Sequence, residues 1–535
     1  MREKILNIIN FFESQPSNFF GWAVAFFTLL SLNLFFQFIT YDFKTVRTDY
    51  FLGALIQPYY FILYLAVVIF LHCLTGEKIK RVANFILWGF WSIIFWPIID
   101  KIILGDKFHL SFYLYGGLSD VWHKFWTFFG TIKPIGILYG TRIETVFIIL
   151  LTGGYVFYKT KKISKAIFGG LGVYTIFFVS VALPSLLLLL VKGLSGGDVF
   201  SVGAVDVVKF FNTPLEYFGV ARKGFSTAFF YKISLFYNLI FICLLFGFQY
   251  LWDKKVLMAL LKNIRLPQMF FNWGLLFSGI LIGLYYFPEN YTTDVFSGLV
   301  IVNLFLSVLL VWLFSVVIND IEDRKVDRLS NTDRPLITKV VSRKEYFNIG
   351  MIFLFLSLLL SLTISGKTFL LTFLYILVTT IYSRHPFKLK RIPFVAGLLS
   401  AFASLLFFLQ GYIIVSDQQS IKYFPWGVVI YLLLVYGLIL PIKDLKDIES
   451  DRKNDVLTVA NLLGEKKARI YFGGIVFLSY CLSIFVFAGG KMMVPAVIIG
   501  GISYWIINNE KNKRNKLLYK LLFLAIVFAV LVIFV

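Results

Sequence analysis

The feature that most restricts this chain is the recurrence of apolar runs long enough to cross a bilayer. A span needs roughly 20 mostly apolar residues. Candidate runs fall near 19–41, 51–75, 82–104, 143–158, 165–193 and 232–252, and again near 268–287, 296–318, 347–365, 368–384, 394–415, 425–442, 470–488, 491–507 and 516–535. The expected fold class is therefore an all-α polytopic membrane protein with about fifteen transmembrane helices. Composition agrees: 59% of the residues are hydrophobic and only 15% are charged, where a soluble domain carries about 25%. So high an apolar content excludes a disordered chain. It also argues against a nucleic-acid partner despite a formal net charge of +22. Cys73, Cys243 and Cys481 lie far apart in apolar runs, and His72, His109, His123 and His385 are scattered. No disulfide framework or cysteine-type zinc site is readable, which leaves oxygen ligands for any metal chemistry. The first residues, MREKILNIINFFESQ, read as a short amphipathic helix and not as a cleavable leader.

The surplus of Lys and Arg, 51 against 29 Asp and Glu, is not spread evenly. After the seventh run, alternate loops are basic. They hold Arg324 to Lys344, then Arg384 to Arg391, then Lys443 to Arg469, then Lys511 to Lys516. The loops between them hold little more than Lys367, Lys422 and Lys491. Basic loops stay in the cytoplasm, so the chain is expected in the plasma membrane with its N-terminus cytoplasmic and its C-terminus outside. In the first half Lys78, Lys80, Arg81, Lys159, Lys161, Lys162 and Lys165 fall on the cytoplasmic side. Two longer loops, near 105–142 and 194–231, fall opposite. A basic amphipathic stretch at 253–266 suggests a boundary, with a six-span domain over 1–258 and a nine-span domain over 259–535.

Acidic residues are scarce, so their clustering matters. Asn319-Asp320-Ile321-Glu322-Asp323 leads to Asp327, and Lys443-Asp444-Leu445-Lys446-Asp447 leads through Glu449 to Asp451. Both clusters carry Asp at i, i+3 and i+7, which on a helix lie within roughly 60° of one another. Each cluster is thus expected to point three carboxylates one way, at the cytoplasmic end of a span. Three ionised carboxylates on one face repel unless a cation neutralises them. A hard ion such as Mg²⁺ binds through a few carboxylates together with substrate phosphates. Two facing clusters could grip a diphosphate between two ions, with nearby bases taking the remaining charge. Solvated loop acids are the plain alternative for one such cluster, but the repetition of the spacing at equivalent span ends weighs against it.

These segments resemble the UbiA superfamily of intramembrane prenyltransferases. The first reads NDIEDRKVDRLSNTDRPL, with Asn319, Asp320, Asp323, Asp327, Arg334 and Pro335 in the family's pattern. The second reads KDLKDIESDRKNDVLTVANLLG and keeps Lys443, Asp444, Asp447, Glu449, Asp451, Thr458 and Gly464. Between them, YSRHPFKLKR supplies Tyr382, Ser383, Lys388, Lys390 and Arg391. Ser450 and Asp455 replace glycines of the second motif, and Lys339 stands where many members have Gly. The resemblance covers about 259–535 and implies a nine-helix bundle. It implies Mg²⁺ held by Asn319, Asp323, Asp327, Asp447 and Asp451, with Asp320 and Asp444 in support. Asp323, Asp327, Asp447 and Asp451 would be the catalytic carboxylates. The diphosphate of a prenyl donor would meet Arg334, Lys388, Lys390, Lys443, Arg265 and Tyr382. The implied acceptor is lipophilic, either a glycerol-phosphate ether lipid or a quinone-precursor ring.

The first 258 residues match no motif. Arg142 and Glu144, and before them Asp106, His109, Asp120 and His123, are expected to be a solvated amphipathic loop with a snorkelling arginine. This half is expected to be an accessory domain that recruits a lipid or partner, or moves the product. The rival class is a polytopic transporter or lipid flippase using its membrane-edge carboxylates. Against it, the acids sit at span ends and not at midplane.

Overall fold

The computed structural model describes residues 2–15, 19–40, 58–105, 114–130, 137–212, 225–291, 294–392, 395–416, 420–421, 423–424, 426–446, 448, 458–509 and 514–534. Among these residues the regular structure is helical and contains no strand. Eleven helices are long and apolar enough to cross a membrane. Four more apolar helices are shorter: Val24–Phe36, Val429–Ile442, Met493–Asn508 and Leu517–Phe528. The polytopic all-α class is therefore correct.

Among the described residues, the expected spans 82–104 and 425–442 are not continuous α-helices. The 82–104 run is a helix Ile79–Gly89, a 3-10 turn Phe90–Ile94 and a helix Trp96–Leu104. Pro97 opens the last piece, where its missing N–H costs nothing. The 425–442 run begins as a helix Trp426–Tyr431, widens into a π turn Leu432–Tyr436 and tightens into a 3-10 turn Leu440–Lys446. Pro441 has no N–H for the carbonyl of Gly437. That carbonyl packs closely on the preceding helix, Val395–Val415: a Cβ on Gly397 would stand 2.1 Å from it.

The chain divides into two compact units, Met1–Glu216 with Ala221–Lys254 and Asp294–Leu299, and Tyr217–Val220 with Lys255–Thr293 and Val300–Val535. In the first unit the N-terminal helix Arg2–Glu13 is tied down at its end. Buried Glu13 accepts from Tyr155 Oη at 2.8 Å and from Lys159 Nζ at 2.7 Å. Aromatic rings fill the core, with Trp22 Nε1 donating to Tyr64 Oη at 2.6 Å and packing on Phe26 and Phe248. The expectation for Arg142 is corrected. It does not snorkel but donates to the carbonyls of Phe128 at 2.9 Å and Gly130 at 2.8 Å. Phe128 and Phe129 both have positive φ, so this guanidinium closes a left-handed turn. Glu144 accepts from Ser92 at 3.2 Å, and Asp120 pairs with Lys124 at 2.8 Å. Asp106 and His109 lie outside the described residues.

In the second unit, Leu266–Tyr286 crosses Val395–Val415 at backbone contact distance. A Cβ on Gly279 would meet the Phe408 carbonyl at 2.0 Å, and one on Gly411 would meet that of Leu276 at 2.0 Å. Gly279 and Gly283 form a GxxxG pair, which lets apolar helices pack where lipid offers no hydrophobic drive.

Candidate active site

Where Val295–Glu322 ends, the second unit opens into a cavity of about 850 Å³. The helix runs out at Asp323, whose backbone (φ −95, ψ 10) leaves the helical well, and a short helix Arg324–Ser330 follows. The amides of Asp323 and Asp327 still reach back four residues, at 2.9 Å each. Asn319, Asp323 and Asp327 therefore stack along one side and line the cavity.

Asp320 departs from the expected arrangement of three carboxylates pointing together. It is 1% exposed and is not part of the cavity wall. Four donors converge on it: Asn263 Nδ2 at 2.8 Å, Tyr346 Oη at 3.0 Å, Arg334 Nη1 at 2.9 Å and Arg265 Nη2. Arg334 Nη1 also binds Asp327, and Asn331 Nδ2 donates to Asp327 at 3.1 Å. Asp320 thus aims two guanidinium groups at the cavity, which both line. Burial pushes the Asp327 carboxyl up to about 6, against the lowering pull of Arg334; the charges of Asp320 and Asp323 add to the rise.

Another part of the wall comes from the end of Gly366–Ser383 and the segment after it. Tyr382, Ser383, Lys388, Lys390 and Arg391 all line the cavity. Lys388 takes a left-handed conformation (φ 42) and starts the 3-10 turn Leu389–Arg391. Lys390 Nζ lies 2.6 Å from Asp323 Oδ1 and 3.0 Å from Asn319 Oδ1. Lys388 Nζ lies 3.7 Å from Glu322. Burial, and then the charge of Lys390, lowers the Lys388 ammonium from its ordinary value.

Of the second acidic cluster, Asp444 lines the same cavity from the Leu440–Lys446 turn, and Thr458 lines it from the cap of Val459–Leu463. Asp447, Glu449 and Asp451 lie outside the described residues, as does the side chain of Lys443. Apolar and weakly polar side chains also line the cavity, among them Phe271, Trp312, Tyr375, Leu399 and Ala403. Gln268 and Asn272, one turn apart on Leu266–Tyr286, also line it. Neither was singled out in the sequence; their four-residue spacing beside Arg265 was the available signal.

Residues 270–529 match the model of the UbiA prenyltransferase family. This half of the chain is a UbiA-family domain. Among its relatives is the digeranylgeranylglyceryl phosphate synthase of Thermococcus gammatolerans, 29% identical over 245 residues, which span 44% of this chain and 86% of that protein. Another is the probable homogentisate phytyltransferase 2 of Oryza sativa subsp. japonica, a chloroplastic protein, 26% identical over 220 residues, spanning 38% and 58%. A solved UbiA homolog from Archaeoglobus fulgidus bound to GPP and Mg²⁺ aligns at 22% identity with a TM-score of 0.41, covering 52% of this chain and all of the other. The cavity described above, apart from Arg265 and Gln268, lies within the UbiA-matched residues.

Proposed function

We propose that the UbiA domain transfers a prenyl group from a prenyl diphosphate to a lipophilic acceptor within the membrane, using Mg²⁺. The observation that carries this reading is the convergence of Asn319, Asp323, Asp327 and Asp444 with Arg334, Lys388 and Lys390 on one cavity. The oxygen donors of Asn319, Asp323, Asp327 and Asp444 beside several fixed cations suit a hard divalent ion shared with a polyanion. Asn319, Asp323 and Asp327 on one wall, with Asp444 and, from the same sequence motif, Asp447 and Asp451, would hold the metal, with Asp320 supporting through Arg265 and Arg334. Bound there, Mg²⁺ would neutralise diphosphate charge and stabilise the leaving oxygen.

The chain's own residues do the rest. Arg334, Lys388 and Lys390, with Arg265 and Tyr382 on the same cavity and Lys443 from the second motif, take the phosphate oxygens and hold the donor's C1–O bond. That bond breaks with its electron pair leaving on the diphosphate, and the fixed charges stabilise the departing anion. The apolar inner wall keeps water from the allylic cation. The acceptor's hydroxyl oxygen or ring carbon then bonds to C1 and passes its proton to the released diphosphate or to water. Basic loops flanking this end of the spans support a cytoplasmic site in the plasma membrane.

The relatives' names support two acceptor classes, a glycerol-phosphate ether and an aromatic ring. The test is transfer by the purified full chain in liposomes, from labelled prenyl diphosphates of several lengths to each class, with and without Mg²⁺. Labelled product from one class, dependent on Mg²⁺, is expected; no transfer to either class refutes the reading. The first 258 residues serve in this proposal as an accessory domain that delivers a lipid or removes the product.

A further inference from the structure

The acids of the 319–327 segment are held in two different ways. Asp320 and Asp327 are 1% and 3% exposed and are fixed by guanidinium groups. Asp323 and Lys390 form the open pair, with side chains 23% and 13% exposed. Lys390 Nζ shares its contacts between Asp323 Oδ1 and Asn319 Oδ1. These are two of the oxygens assigned above to the divalent ion. Mg²⁺ binds oxygen at about 2.0–2.1 Å. An ammonium within 3.0 Å of the same two oxygens would then share their lone pairs with the ion and repel it as a like charge. Lys390 and a metal therefore compete for Asn319 Oδ1 and Asp323 Oδ1. The ammonium has somewhere to go, because it sits on a flexible four-carbon stem on the cavity wall.

We propose that Lys390 is the exchangeable counter-ion of the acidic segment. It holds Asn319 and Asp323 until a diphosphate enters, then moves its ammonium to a phosphate oxygen and releases both side chains to the divalent ion. Metal and diphosphate therefore bind as a coupled pair, each raising the affinity of the other, and a metal without diphosphate binds weakly. This rests on the prenyl-diphosphate reading above and adds the order and coupling of binding. By linkage, the gain in metal affinity on adding diphosphate equals the gain in diphosphate affinity on adding metal.

The experiment is equilibrium dialysis of the purified full chain against radiolabelled Mn²⁺, with and without a non-hydrolysable prenyl thiodiphosphate. Each bound fraction is corrected by the protein-free compartment. Wild type should bind Mn²⁺ about 10-fold or more tightly once the analogue is present. Lys390→Met should bind Mn²⁺ alone more tightly than wild type and keep only the part of the increment that direct metal–phosphate contact supplies. Lys390→Gln, neutral and able to keep a hydrogen bond to Asn319, should move the same way if the Met variant does not fold. Lys344→Met is the control, an exposed lysine of the same unit that does not line the cavity; it should not tighten Mn²⁺ binding. The proposal is overturned if the Lys390 variants bind Mn²⁺ no better than wild type, if they keep the full increment, or if Lys344→Met tightens it equally. Failure of the underlying reading looks different: Asp323→Ala would then bind Mn²⁺ and the analogue as wild type does.

Discussion

Asp320→Ala separates a structural hub from a metal ligand. In the structure this carboxylate is 1% exposed and accepts from Asn263, Tyr346, Arg265 and Arg334. Removing it leaves two guanidinium groups without that partner, though Arg334 keeps Asp327. Breaking a buried ion pair from one side costs about 3–5 kcal/mol. The Arg265 and Arg334 side chains are 23% and 11% exposed, so water relieves part of the penalty and the lower figure, about 3 kcal/mol, is the expectation. Membrane proteins of this size unfold irreversibly, so the observable is a rate. If most of the loss falls on the unfolding barrier, heat inactivation in detergent should speed up by about 100-fold. Asp320→Asn keeps an acceptor for one or two donors and should lie between wild type and Ala. Both variants should retain Mn²⁺ binding in proportion to folded protein, because Asp320 is not part of the cavity wall. Wild-type stability in Asp320→Ala, or a folded Asp320→Asn that binds no Mn²⁺, refutes this assignment.

Other substitutions probe the supports. Tyr346→Phe removes one of the four donors and should cost about 1 kcal/mol, read as a modest rise in heat inactivation with diphosphate release near the wild-type rate. Gly279→Val drives a side chain into the Phe408 carbonyl, which no rotamer relieves. It should cost about 3 kcal/mol or more and impair binding of the prenyl analogue, because both crossing helices line the cavity; unchanged thermostability would count against the close crossing. In the first unit, Glu13→Ala releases the N-terminal helix from Tyr155 and Lys159, at about 1–3 kcal/mol. Limited proteolysis should then cut within residues 2–13 faster than in wild type.

Much of this was legible for identifiable reasons. Apolar runs of span length read as helices because hydrocarbon solvent leaves the backbone few choices. The 319–327 acids stood out because acidic residues are rare here and these end a span. What the pattern hid was the division of labour within that cluster. Helical spacing places Asp320 beside Asp323 and Asp327, but Asn263, Arg265 and Tyr346 arrive from other segments and draw Asp320 off the cavity wall. Local periodicity carries no information on such partners. The break before Trp96 and the turn after Leu440 were marked by Pro97 and Pro441. Both were overridden by the length of the apolar runs. The Gly279-x-x-x-Gly283 pair was equally readable.

The central claim is that the Asn319–Asp327 wall binds a divalent ion and the diphosphate of a prenyl donor for C–O cleavage. It is tested most directly by release of inorganic diphosphate from a labelled prenyl diphosphate by the purified full chain, wild type against Asp323→Ala. The account predicts Mg²⁺-dependent release by wild type, lost on chelation and restored by Mg²⁺. It also predicts a fall of about 100-fold or more in a folded Asp323→Ala protein. Undiminished, Mg²⁺-dependent release by that variant would contradict it.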